Sequence, residues 1–327
     1  MSMRAAISRR PHAARVALAL GLVYIVWGST YLAISVTVET IPPLLSAGVR
    51  FMTAGAILYA FAIRRTPRGE RPTAIQWRSA AIVGAALLLG GNGGVVIAES
   101  WGVPSGITAL LVGTVPLWMA LISWAALRER IPKVAIAGLL AGFAGVAILA
   151  KPSGDFPLAG SLLIVLAAFI WSCGSVYAQR APLPSRPFLT TAMEMLAGGA
   201  TQVVAGLLRG EAAGVDVTAF SGRSLIAFFY LIFIGSLVGY TAYIWALHNT
   251  RISLVSTYAY VNPVIAVILG SAILSEPFTT LDLVAGSVIV GSVALIVGAK
   301  RTAAAQGSPA DAPPPTDEAL ESSTTHE

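Results

Sequence analysis

Charge is scarce in this chain. Only 11% of its 327 residues are Asp, Glu, Lys or Arg, and 56% are hydrophobic. A soluble globular chain carries about 25% charged residues, so this composition excludes an ordinary water-soluble fold. Cysteine is nearly absent. Cys173 stands alone, which excludes an internal disulfide and leaves its thiol as a small packing group in an apolar run. Histidine occurs only at His12, His248 and His326. There is no HExxH pair, no acidic cluster suited to a metal or pyrophosphate, and no GxxxxGK(S/T) loop. The residues therefore offer no metal centre, no cofactor site and no direct coupling to ATP. The hydrophobic runs also lack the apolar–polar alternation of barrel strands.

What the chain does have is ten apolar stretches. They lie at roughly Val16–Val36, Leu44–Ile63, Ser79–Ala98, Ser105–Trp124, Val134–Ala150, Leu158–Ala178, Phe188–Leu208, Leu225–Ala246, Ser253–Leu274 and Leu281–Ala299. Most approach the ~20 residues that a helix needs to cross a hydrocarbon core. Helices also satisfy their own backbone hydrogen bonds, which lipid cannot do. The pattern predicts an all-α polytopic membrane protein with ten transmembrane helices. The first run follows Arg9 and Arg10 as a signal peptide would, but it continues into Trp27–Tyr31 without a small-residue cleavage site, so it reads as a retained helix. Residues 302–327 are rich in Ala, Pro, Ser, Thr and acids; that composition predicts a disordered tail.

The net charge of +6 does not point to nucleic acid, because its placement follows a membrane rule. With the N-terminus inside, the inner segments hold Arg4, Arg9, Arg10, Arg15, Arg64, Arg65, Arg68, Arg71, Arg78, Arg128, Arg130, Lys133, Arg180, Arg186, Arg251, Lys300 and Arg301. The outer loops hold only Lys151, Arg209 and Arg223. This asymmetry predicts a multi-pass protein of the cytoplasmic (inner) membrane with both termini cytoplasmic.

The second half repeats the first. Trp27-Gly28-Ser29-Thr30-Tyr31 is echoed by Trp171-Ser172-Cys173-Gly174-Ser175-Val176-Tyr177, and Pro43 by Pro187, both 144 residues apart. Pro116 matches Pro263, and Glu129 matches Glu276, both 147 residues apart. Four landmarks at nearly one offset mark an internal duplication. Five helices is an odd number, so the second copy enters the membrane from the opposite face. The Glu129 loop carries Arg128, Arg130 and Lys133, whereas the Glu276 loop carries no Lys or Arg, as an inner and an outer loop should. The expected layout is a cytoplasmic segment (1–15), a first five-helix repeat (16–150), a connecting loop (151–157), a second repeat (158–299) and a tail (300–327). Two inverted halves can exchange conformations, and the exchange turns an inward-open cavity into an outward-open one.

Between Val16 and Ala299 the chain resembles the EamA family of the drug/metabolite transporter superfamily. The marks are Trp27–Tyr31, Ala98-Glu99-Ser100 with Val103-Pro104-Ser105-Gly106, Thr114-Val115-Pro116-Leu117-Trp118-Met119-Ala120, and the two glutamate-bearing loops. The first half is most similar to the YedA-like branch. The resemblance implies a ten-helix inner-membrane carrier, often an exporter of metabolites, amino acids or drugs. The second half departs more, since Ala246 or a neighbour stands where Glu99 would repeat.

Ionisable groups inside a span cost at least ~2.5–3.5 kcal/mol on insertion scales, so each needs a reason. Arg50 and Glu194 each lie seven residues past an opening proline, roughly 10 Å into their helices. They are expected to face a central cavity and select substrate charge or couple an ion, or else to snorkel or bond a neighbouring helix. Glu99 is expected to be a gate or proton site near the outer rim, or a solvated loop acid. Gly90-Gly91-Asn92-Gly93-Gly94, and Gly235 with Gly239, suggest close helix packing, with the Asn92 amide a candidate for the cavity wall. Trp27, Tyr31, Trp171, Tyr177, Tyr240, Tyr243, Tyr258 and Tyr260 are aromatic candidates for that wall, Trp27, Tyr31 and Tyr258 foremost, or for interface anchors. Asn262-Pro263 and Pro116 are expected to break their helices, freeing carbonyls for substrate or bending. Glu129 and Glu276 are expected to be structural, each capping the helix that follows.

The function expected from these features is a secondary transporter that moves a small organic metabolite (amino-acid-like, drug-like or related) by alternating access, with export as the expected direction. Its partners would be that substrate, the lipid bilayer and a coupling proton or ion; no nucleic acid is expected, and the protein would be a monomer or a homodimer. A membrane-embedded receptor or an intramembrane enzyme is the rival class; the inverted duplication gives a receptor no purpose, and the missing HExxH pair and acidic cluster speak against an enzyme.

Overall fold

The computed structural model describes residues 3–127, 133–149, 158–249, 258–276 and 278–305. Among these residues every regular element is helical: α1 (Met3–Val38), α2 (Pro43–Arg64), α3 (Ala74–Ser100), α4 (Ser105–Val112), α5 (Val115–Leu127), α6 (Lys133–Leu149), α7 (Leu158–Ala178), α8 (Pro187–Leu208), α9 (222–249), α10 (Tyr258–Leu274) and α11 (Thr280–Ala305), with short 3₁₀ turns between some of them. Pro43 and Pro187 open α2 and α8; the first helical turn has no use for the missing N–H. Thr73 and Gln76 form a capping box at the start of α3.

Five helices are long and apolar enough to cross a membrane: Ala14–Val38, Pro43–Arg64, Ala74–Ser100, Leu158–Ala178 and Gly222–Tyr243. Shorter apolar helices accompany them. α8 matches α2 in length but carries Glu194, Gln202 and several threonines. It packs against α2, α3 and α9, so its polar side chains are shielded by protein.

Packing between the halves is reciprocal. α1 lies against α9 and α10, while α7 lies against α3, α4 and α5. α2 meets α8, and α6 meets α11. The α2–α8 crossing depends on glycine. A Cβ on Gly48 would stand 2.8 Å from the Gly199 carbonyl oxygen, and one on Gly199 would stand 2.9 Å from that of Gly48. Small residues of this kind let membrane helices approach closely.

Two helices change pitch at equivalent places. α3 is π-helical over Ala85–Gly93, and α9 over Leu231–Tyr240. Such wider turns are rare and occur often at functional sites. The glycines in them do pack, as the sequence suggested: Gly90, Gly91 and Gly94 face Ile170, Trp171 and Ala167 of α7, while Gly235 and Gly239 face Thr30 and Trp27 of α1.

Several boundaries differ from the sequence reading. α1 begins at Met3, well before Val16, and α11 runs on to Ala305, so residues 302–305 are helical and not part of a disordered tail. The fourth apolar stretch is interrupted between Val112 and Val115, because Pro116 has no N–H to give the Val112 carbonyl. Pro263, by contrast, lies inside an unbroken α10. The rest of the tail (306–327), the 151–157 connection and Glu129 lie outside the described residues.

Candidate functional site

The two π-helical stretches and the two tryptophan helices surround a cavity of about 90 Å³. α1 contributes Trp27, Thr30, Tyr31 and Ile34; α2 contributes Arg50 and Phe51; α3 contributes Leu88, Gly91, Asn92 and Val95. Val112 and Val115 flank the break between α4 and α5. Ala167, Ala168 and Trp171 of α7, Tyr240 of α9 and Tyr258 of α10 close the far side. Both halves therefore build the wall, which no single helix could do.

Among the described residues, Arg50 is the one lining residue that carries a full charge at neutral pH. It is only 5% exposed. Its Nε–H donates to Ser236 Oγ at 2.9 Å, in the π stretch of α9. The ring of Phe51 lies 4.4 Å from the guanidinium carbon, and Nη1 is buried without a protein partner. Glu194, its counterpart in the repeat, is buried but does not line this cavity.

The aromatic residues form a cluster on one side. The Trp27 ring lies 5.8 Å from Tyr240, 4.7 Å from Tyr243 and 5.4 Å from Tyr258. Trp171 lies against Gly91 of α3, and its buried indole N–H has no protein partner. Gln202 of α8 was not anticipated. It is fully buried and donates to the Leu88 carbonyl at 2.8 Å and to Asn92 Oδ1 at 3.4 Å, tying α8 to the π stretch. A glutamine in mid-span was the available signal.

The sequence candidates fall into groups. Trp27, Tyr31, Arg50, Asn92, Trp171 and Tyr258 all line the cavity. Tyr177 does not: it is 40% exposed near the end of α7, because its position turns away from the face that Trp171 presents. Asn262 is buried in α10 beside α1; with its amide turned to donate, it reaches the carbonyls of Tyr24 and Tyr258 at 3.2 Å each, which makes it a helix tie outside the wall. Pro116 lies next to the cavity through Val115, and Pro263 does not break its helix. The side chains of His248 and Tyr260 lie outside the described set.

Glu99 is not a solvated loop acid. It is only 4% exposed and neither carboxylate oxygen has a protein partner. The nearby Thr108 hydroxyl is also buried and unpaired. Glu276 caps a helix of the other half. Its Oε1 accepts from the Ser105 N–H at 2.8 Å, and its Oε2 accepts from the Ser105 hydroxyl at 3.0 Å and the Gly106 N–H at 3.2 Å. The cap therefore joins the end of α10 to the start of α4, whose first N–H groups have no partner within their own helix. Glu211 does the same for α2, accepting from the N–H groups of Leu44 and Leu45 at 2.9 and 3.0 Å. Both acids come from the second half and both helices from the first.

An apolar helical bundle with an aromatic, singly charged cavity between two reciprocally packed halves defines a polytopic membrane protein of the transporter class. The chain matches the model of the EamA-like transporter family over residues 15–151 and again over 158–298, and it belongs to that family. It is 39% identical over 284 residues to the "Uncharacterized inner membrane transporter YedA" of Escherichia coli, covering 85% of this chain and 89% of that one. It is 25% identical over 290 residues to a "Probable amino-acid metabolite efflux pump" of Salmonella typhimurium, covering 82% and 90%. A solved crystal structure shares the fold at a TM-score of 0.59 and 24% identity, covering 88% of this chain and 98% of that one.

Proposed function

We propose that this protein is a secondary transporter that exports a small organic metabolite, amino-acid-like or drug-like, across the cytoplasmic membrane by alternating access. We assign it ten transmembrane helices as two inverted five-helix repeats, residues 16–150 and 158–299, with both termini cytoplasmic. The observation that carries this reading is reciprocal packing around one cavity: each half lends its first helix to the π-helical span of the other. Halves built this way can trade conformations, which is what alternating access requires. The efflux-pump relative supports export and an amino-acid-like cargo.

The positive-inside pattern puts the Glu211 and Glu276 caps at the outer end. Closure there rests on hydrogen bonds from first-half helix starts to second-half carboxylates. Opening outward releases them. Toward the inner end, Trp27, Tyr240, Tyr243 and Tyr258 form the barrier. Glu99, buried beside the capped end, is the candidate coupling site for a proton.

The test is flux. Purified protein in proteoliposomes should move a metabolite that also raises its thermal stability. A metabolite that stabilises the protein but never crosses would overturn transport and favour a receptor. Cysteines at positions 129 and 276 should label from opposite faces; labelling from one face would remove the inverted architecture.

A further inference from the structure

We propose that Arg50 forms a carboxylate-binding subsite, so that the cargo is a monocarboxylate with an apolar or aromatic body. This deepens the transporter reading and rests on it. The charge inventory comes first. Among the described residues Arg50 is the only lining residue charged at neutral pH, and no Asp or Glu pairs with it. A lone guanidinium, 5% exposed and within a membrane span, is costly to hold. The protein nevertheless builds a seat for it. Ser236 takes the Nε–H, the Phe51 ring covers the group, and Nη1 is left buried and unpaired. These contacts fix the planar group and spare donors in the fork geometry that matches a carboxylate.

The rest of the wall sets the remainder of the ligand. Trp27, Tyr31, Trp171, Tyr240 and Tyr258 offer flat, largely apolar faces. The unpaired indole N–H of Trp171 is a second donor. A phosphate carries more charge and wants more cations than this wall supplies. A cargo whose only charge is an ammonium would meet the guanidinium as a like charge. One guanidinium among aromatic rings matches one carboxylate on an apolar body. Arg50 also borders a smaller void of about 10 Å³ with Thr37, Ser46 and Phe228.

Binding is measured on detergent-purified protein by calorimetry. The probes are aromatic and aliphatic monocarboxylates, each paired with its primary amide and its phosphonate analogue. Wild type should bind at least one acid about tenfold or more tightly than its amide. Arg50→Gln should abolish that preference, Arg50→Lys should weaken it, and Ser236→Ala should reduce it several-fold by loosening the fork. The idea is overturned if no acid in the panel outbinds its amide, if the phosphonate binds tighter than the acid, or if the preference survives Arg50→Gln. The acid-against-amide comparison in wild type stands even if Arg50→Gln fails to fold. Arg50-dependent acid binding without proteoliposome flux would remove the transporter reading and leave the subsite; flux of a cargo without a carboxylate would do the reverse.

Discussion

The two halves share a backbone plan but divide the chemistry unevenly. In α2 the residue seven past the opening proline is Arg50, which enters the cavity wall; in α8 it is Glu194, which is buried but does not line the cavity. The first half supplies the charge, the amide of Asn92 and the helix break at Val112–Val115. The second supplies Ser236 to hold Arg50 and the two carboxylates that cap first-half helices. Duplication thus preserved the geometry that lets halves interlock, while the side chains facing the cavity became free to differ. A symmetric cavity would carry two like charges or none; this one carries a single cation.

The sharpest way to break that contrast is to neutralise both equivalents. Arg50→Gln should lower substrate flux in proteoliposomes about a hundredfold or more, whereas Glu194→Gln should lower it less than about tenfold; the scale follows from losing one charge-assisted contact in a buried site. Equal losses would mean that Glu194 works in the wall as well. The halves should instead respond alike where they share geometry. Gly91→Val would drive a side chain into Trp171, and Gly239→Val into Trp27. Each should destabilise by about 1–3 kcal/mol, read as a lower apparent Tm in detergent. A large cost at one and none at the other would end the claim of equivalent packing.

A smaller effect is expected at the caps. Glu276→Gln keeps the shape but removes the charge at the start of α4, and should cost about 1 kcal/mol. A cysteine placed at Ser105 should then react faster with a membrane-impermeant reagent added outside; an unchanged rate would detach the cap from outer closure. The smallest effect separates the prolines. Pro116→Ala restores a donor to the Val112 carbonyl at the break and should slow flux several-fold. Pro263→Ala, within a continuous α10, should change flux less than about twofold, with stability altered by under about 1 kcal/mol.

Much of the layout was legible in the residues because lipid imposes a local rule. The starts of α2 and α8 follow from Pro43 and Pro187, and burial of Arg50 within α2 follows from its place in an apolar run. Trp27, Tyr31, Trp171 and Tyr258 stood out as aromatic landmarks of the repeat, and the fold brings them to one cavity. Tyr177 belonged to the same landmark block yet faces outward, since sharing a motif does not mean sharing a helix face. Phe51 and Thr30 also line the wall; neither differs in kind from dozens of apolar or hydroxyl neighbours. Glu276 was readable as a helix cap but not as a cap on α4, because its partner lies 171 residues earlier in the chain.

The sequence by itself determined the membrane environment, the duplication and the rarity of charge inside the spans, because hydropathy and repeat spacing are properties of adjacent residues. Only the tertiary structure decided which helix each group meets. The seat of Arg50 on Ser236, the hold of Gln202 on Leu88 and the crossing of the caps from one half to the other all join residues more than a hundred positions apart. Those pairings exist because glycine-faced helices from opposite halves pack closely enough for side chains to reach across.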